Sequence, residues 1–283
     1  MTAADQAMSA GPGGRLSARR GGAAAGSGQP RLIRSGGGHG LDPVTATASR
    51  RTVMLATLRA PDRETPAQQI FDETAIAIVE GRLRPGQTLH SHELARHFST
   101  GSTPASEALT ELERRGAVVV MPPRRPSVAE ASVTRASLAQ LKNIYELRAS
   151  LFTLVAELIV ERCPDEGLAE LWAWQAALEE DAAHGCVDDY FWHHAGFRLI
   201  EGALTGNEEL QRIISELAIR AMQVTHLSFS LPGRLARSVA DHRRLLMAYS
   251  ERDRDTAVAL NRLMIMTGYR ALEESGLIGN PAA

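Results

Sequence analysis

Seven arginines, Arg82, Arg84, Arg96, Arg114, Arg115, Arg124 and Arg125, surround a twelve-residue stretch at 99–110, STGSTPASEALT, which has no arginine or lysine of its own. Guanidinium groups fork onto phosphates and base edges, and serine or threonine hydroxyls donate to either. The grouping therefore suits a polyanion-binding surface whose central segment lacks cations. Part of the charge has an ordinary explanation, because Arg114 and Arg115 close a predicted helix, where cations complement the C-terminal dipole. Other chemistry finds no support. No Gly-rich phosphate loop follows a strand, no Ser–His–Asp grouping is suggested, and GGGHG at 36–40 is not a nucleotide motif. Cys163 and Cys186 form no CxxC pattern and read as free thiols. Trp172, Trp174 and Trp192 read as core or interface packing, and Glu179-Glu180 as a solvated helix face.

The elements around that stretch follow from periodicity and punctuation. PAQQIFDETAIAIVEG places Ile70, Ala77 and Ile78, with Phe71 and Thr74 nearby, on one helical face from Pro66 onward. Glycine and the Pro85-Gly86 turn stop that helix. SHELARHF starts a second helix with Ser91 as N-cap. TPASEALTELERRG starts a third, with Thr103 as N-cap, Pro104 at the first helical position and Gly116 at the end. Its buried stripe is Ala105, Ala108, Leu109 and Leu112. AVVVM and SVAEA, around the tip PPRRP, predict a small hairpin. Three helices and a hairpin make a winged helix-turn-helix over 66–130. From Thr134 to residue 276 the chain reads as six amphipathic helices with short loops, an all-helical antiparallel bundle. The fold class is mainly α.

Composition sets the remaining bounds. Residues 1–65 are mostly Gly, Ala, Ser and Arg without a sustained period, so they are expected to form a disordered basic tail. Residues 1–60 carry a net +6 and residues 61–130 a net −2, leaving −6 for the rest of a chain whose total is −2. The predicted reader domain is thus slightly acidic, and a basic tail could supply the field it lacks. No apolar run approaches the roughly 18 residues of a membrane span, and no signal core opens the chain, which predicts a cytoplasmic protein with no membrane partner.

AIVEGRLRPGQTLHSHELARHF and TPASEALTELERRGAVVVMP resemble the winged helix of GntR-family transcription regulators. The helical remainder, with Gly206-Asn207 and DHRRLLMAYSERDRDTA, resembles the FCD domain of the FadR subfamily. The resemblance implies a homodimeric repressor or activator, not an enzyme, that binds double-stranded DNA and senses a small metabolite, often a carboxylate, in its bundle. The recognition segment departs from the family run Gly-Val-Ser-Arg-Thr-Pro-Val-Arg-Glu-Ala-Leu: Ser99 stands for the glycine, and Ser102 and Ser106 replace both arginines. The DNA-contacting set is then Arg96, Ser102, Thr103, Ser106, Arg124 and Arg125, with Pro126 where a wing glycine is usual. The competing expectation is a dimeric metabolite- or partner-binding protein whose winged helix no longer recognises a sequence.

Many FCD domains hold a divalent metal through an Asp-x3-His pair on one helix and two further histidines. The resemblance puts those positions on His194, Arg198, His242 and Met264. His194 and His242 remain candidate metal ligands, with His193 or Asp189 beside them. An arginine among the ligands argues against a divalent cation through charge repulsion and a lost ligand, so no cofactor is expected. Two readings of Arg198 stand. Its guanidinium replaces the metal's charge and binds a carboxylate or phosphate, with His194 and His242 as hydrogen-bond partners; or it pairs with an internal acid and the cavity is closed. Arg148 matches a basic position that often faces this cavity in the family, which makes the ligand-binding set Arg148, His194, Arg198, His242 and Met264.

Overall fold

Thr65 caps the first helix by accepting the Gln68 N–H on its hydroxyl at 3.2 Å, and Pro66, whose missing N–H is an orphan there anyway, opens α1 (Pro66–Val79). The computed structural model describes residues 65–122 and 129–278. The N-terminal tail and the tip carrying Arg124, Arg125 and Pro126 lie outside those bounds. Ile70, Phe71, Thr74, Ala77 and Ile78 are buried, as their spacing predicts.

After the Pro85-Gly86 turn the chain forms β1 (Thr88–His90), α2 (Ser91–His97), α3 (Ser102–Arg114), β2 (Val118–Met121) and β3 (Glu130–Val133). Two predicted caps are displaced. His90, not Ser91, is the N-cap of α2. Ser91 is fully buried, and its hydroxyl accepts the Ala129 N–H at 3.1 Å, tying the sheet back to the helix. Gly101, not Thr103, is the N-cap of α3, so Pro104 falls at the third helical position, still among the four N–H groups without helical partners. The expected hairpin is one edge of a three-stranded antiparallel sheet of order β1-β3-β2. Leu89 pairs with Ala131, and Val120 pairs with the same residue from the other side. A three-residue strand between a turn and a helix gives too little alternation to be seen in sequence.

The bundle comprises α4 (Leu138–Arg162), α5 (Asp165–His184), α6 (Val187–Leu204), α7 (Glu208–Phe229), α8 (Arg234–Ser250) and α9 (Arg254–Ser275). Ser137 and Gln140 form a capping box at the start of α4, and Asn207 and Asp253 cap α7 and α9 through their side chains. The antiparallel pair α4–α9 makes the most extensive packing. Gly196 lets α6 approach α5: a Cβ there would stand 2.4 Å from the Trp174 ring. Glu179 is not simply a solvated acid, because it accepts from Arg243 at 2.6 Å and from Gln175 at 2.8 Å, joining α5 to α8. Among the described residues, no helix is long and apolar enough to cross a membrane.

Winged helix and bundle share a packed seam. Helix α1 rests against α7, and the Cβ position of Gly116 faces the Arg220 side chain at 2.8 Å. Across the same seam the Trp192 indole N–H donates to Glu80 at 3.3 Å.

Candidate functional site

Helical spacing brings five helices to one cavity, α7 contributing Thr225, Ser228 and Phe229. On α6, His194 and Arg198 are one turn apart; on α8, Arg234, Ser238 and His242 form a stripe at intervals of four; α4 supplies Tyr145 and Arg148, and α9 supplies Met264. The space between these side chains, solvent at its mouth included, is about 440 Å³. All five residues expected from sequence to contact a ligand line it. Arg234 and Tyr145 were missed, although the Arg234–Ser238–His242 interval was visible as a repeat of four.

Three guanidinium groups converge here. Arg198 is nearly buried and donates to Glu201 at 2.8 Å and to Asn261 at 2.7 Å. Glu201 is fully buried and also accepts from Tyr249 at 2.5 Å and Asn261 at 3.0 Å. Arg198 thus pairs with an internal acid, yet the cavity stays open beside it, and its Nε finds no partner among the described residues. The internal acid of the second reading is therefore present without the closed cavity that it implied. Arg148 lies over the Phe152 ring at 5.8 Å and Arg198 over the same ring at 4.9 Å, so one aromatic ring supports both cations. Among the described residues neither Arg148 nor Arg234 forms an ion pair. Burial lowers the pKa of Arg148, helped by the charge of Arg198, and burial also lowers that of Arg234. Arg234 moreover opens α8, where the helix dipole disfavours a cation.

The two imidazoles are held neutral. Burial, then the charge of Arg198, pushes His242 down to about 3. Burial, then His242 and the arginines, holds His194 well below its ordinary value. The rings meet edge to face at 5.2 Å. His242 Nδ1–H donates to the Ser238 carbonyl at 2.7 Å, which leaves Nε2 as a lone-pair acceptor without a partner among the described residues.

These residues do not fit a divalent cation. One position is a guanidinium held by Glu201 and Asn261, one is a thioether, and the two histidines lie among three arginines. His193 does not help, since its Nδ1 bonds Asp181 away from the cavity, beside Trp174. Among the described residues no three His, Cys, Asp or Glu side chains are grouped to hold a metal. The arrangement instead suits a small anion: fixed positive charge in low dielectric, with neutral acceptors for a ligand hydroxyl or protonated group.

The second expected site lies on α3. Ser102 and Thr103 are exposed at its first turn, Ser106 is half-buried, and Arg96 is exposed on α2. Arg114 and Arg115 are engaged within the domain: both bond Glu111, at 2.6 Å and 2.9 Å, and Arg115 stacks on Phe71. Ser99 sits in the turn between α2 and α3 at φ 53°, the left-handed region that favours glycine. Arg124 and Arg125, expected at the wing, lie outside the described residues.

Comparison with known proteins resolves the class. The profile described as bacterial regulatory proteins, gntR family, matches residues 66–127, and the FCD domain matches residues 143–266. The chain joins a GntR-type winged helix to an FCD domain. It is 27% identical over 131 residues to YdhC, an uncharacterized HTH-type transcriptional regulator of Bacillus subtilis (strain 168), a match covering 45% of this chain and 55% of that one. It is 26% identical over 177 residues to the HTH-type transcriptional regulator McbR of Escherichia coli (strain K12), covering 62% of this chain and 78% of McbR. In structure it is similar to E. coli McbR/YncC, with a TM-score of 0.66 at 22% identity over 75% of this chain and 99% of that one. A structural-genomics GntR regulator from Rhodococcus sp. RHA1 follows at TM-score 0.63 and 13% identity, covering 74% and 98%. These relatives are regulators rather than enzymes.

Proposed function

We propose that the protein is a homodimeric, cytoplasmic, DNA-binding transcriptional regulator whose FCD cavity senses a small organic anion, a carboxylate in the simplest case. The observation that carries the reading is the convergence of Arg148, Arg198 and Arg234 on one cavity beside two neutral histidines, with Arg148 lacking an acid partner among the described residues and Arg234 only partly offset by Asp241, which lines the same cavity. Partly buried cations in excess of their counter-charges are costly to maintain, and an anionic ligand offsets that cost.

On the DNA side, the first turn of α3 offers the backbone N–H groups and hydroxyls of Ser102 and Thr103 to phosphate, with Arg96 alongside. Without the two family arginines, the specific contacts are weaker by roughly 1–3 kcal/mol for each bidentate pair lost. The test is selection of bound sequences from a random DNA pool with the full-length protein, with and without a panel of small carboxylates. A discrete enriched sequence, and a shift in its affinity with a carboxylate, is the expected result. Enrichment of no sequence at low salt would overturn the DNA reading in favour of a dimeric metabolite- or partner-binding protein.

A further inference from the structure

Next to the arginine-lined cavity lies a second hollow of about 600 Å³, solvent at its mouth included. The two share Arg148, His194, Arg198 and Thr225 as a common wall. Beyond that wall the character changes. The second chamber is bounded by Phe152, Phe191, Leu199, Ile214, Ala218 and Met222, with no charged side chain apart from the two shared arginines. Ile214, Ala218 and Met222 recur at intervals of four, so one stripe of α7 forms its long side.

A chamber that is apolar along its length and closed at one end by two guanidinium groups matches one chemical shape: an anionic head on an apolar body. Phe152 fits both halves, since it supports both guanidinium groups and faces the chamber. Resting on the anion-sensing reading above, we propose that the effector is an amphipathic monocarboxylate. Its carboxylate is held by Arg148 and Arg198 at the shared wall, and its hydrocarbon body lies along the α7 stripe in the second chamber. Helix α7 also packs on α1 and places Arg220 against Gly116, so the body of the ligand bears on the helix that touches the reader domain.

The test uses the full-length chain and straight-chain carboxylates from acetate to decanoate, with the n-alkanols of equal length as controls, by titration calorimetry and thermal shift. Affinity rises about two- to fourfold per added methylene until the chamber is full, as expected for burial of each CH₂ group. Alkanols bind at least about tenfold more weakly, because nothing replaces the charge at the arginines. Ala218→Phe flattens the chain-length dependence while leaving short-acid binding within about threefold, and Arg148→Met weakens every acid. Should Ala218→Phe fail to fold, the wild-type series decides alone. Equal binding of all lengths, lost in Arg148→Met, overturns the apolar subsite and leaves the anion site standing. Absence of binding at every length overturns both. Equal binding of acids and alkanols, unchanged in Arg148→Met, marks nonspecific uptake and overturns the proposal as well.

Discussion

The Trp192 indole N–H donates to the Glu80 carboxylate at 3.3 Å, from the bundle helix α6 to the end of α1 in the winged helix. Two residues on, His194 lines the cavity, about 200° further round the same helix at 3.6 residues per turn. One helix therefore touches the ligand site with one face and the reader domain with the other. Trp192→Phe keeps an aromatic ring, though a smaller one, and removes the donor. It is expected to leave effector affinity within about twofold and to reduce the effector's influence on DNA affinity, by about 1 kcal/mol if this bond differs between the two states. DNA titrations with saturating and absent effector measure the coupling; unchanged coupling would remove this bond from the route.

Arg198 and Arg148 share an aromatic support but not a role in stability. Removing Arg198 strands the fully buried Glu201, so Arg198→Met is expected to lower unfolding free energy by about 3–5 kcal/mol. Arg148 answers no buried acid among the described residues, and Arg148→Met should be tolerated within about 1 kcal/mol while weakening anion binding. Denaturant melts on both variants separate the two cases. Equal losses would mean that the Glu201 network does not depend on Arg198.

Acid should destabilise the protein through its buried histidines. His242 falls from an ordinary 6.5 to about 3 in the folded state, and His194 lies well below 6.5. The unfolded chain then binds protons that the folded chain refuses. The stability contributed by the neutral rings is fully present above about pH 7 and is lost as pH falls through 6.5 towards 3, with a slope of up to about 1.4 kcal/mol per pH unit for each histidine. His242→Gln removes one of the two, so its stability profile between pH 7 and 4.5 should be shallower than that of the wild type. Parallel profiles would show that His242 protonates without penalty.

Ser99 occupies a backbone conformation at φ 53° that costs a residue with a Cβ free energy glycine does not lose. Ser99→Gly is expected to stabilise the winged helix by about 0.5–1 kcal/mol, read as a rise in the chemical-denaturation midpoint at constant slope. A fall in the midpoint would mean that the serine hydroxyl contributes more than the strain costs.

Restoring arginine at Ser102 and Ser106 should tighten DNA binding. Each new guanidinium contributes roughly 1–3 kcal/mol where it reaches a guanine edge and steepens the salt dependence by about one unit where it reaches a phosphate. Electrophoretic shifts at several salt concentrations distinguish the two. No change in either would place the first turn of α3 away from DNA.

Much of this molecule follows from local pattern. The period of 3.6 residues in 138–275 delivered six helices, and the spacing of His194 from Arg198 and of Arg234 from His242 fixed which side chains share a helical face. Local chemistry also shows that STGSTPASEALT forms a helix without basic side chains. Tertiary structure alone decided the rest, because it depends on partners far apart in the chain. β1 exists only because β3 pairs with it, and Ser91 is withdrawn from capping because its hydroxyl meets Ala129. Arg198 is both neutralised and left facing a cavity because Glu201, one helical turn away, is itself held by Tyr249 and Asn261 from α8 and α9. Sequence named the charges of this site; burial among those helices determined which of them remain without a counter-charge.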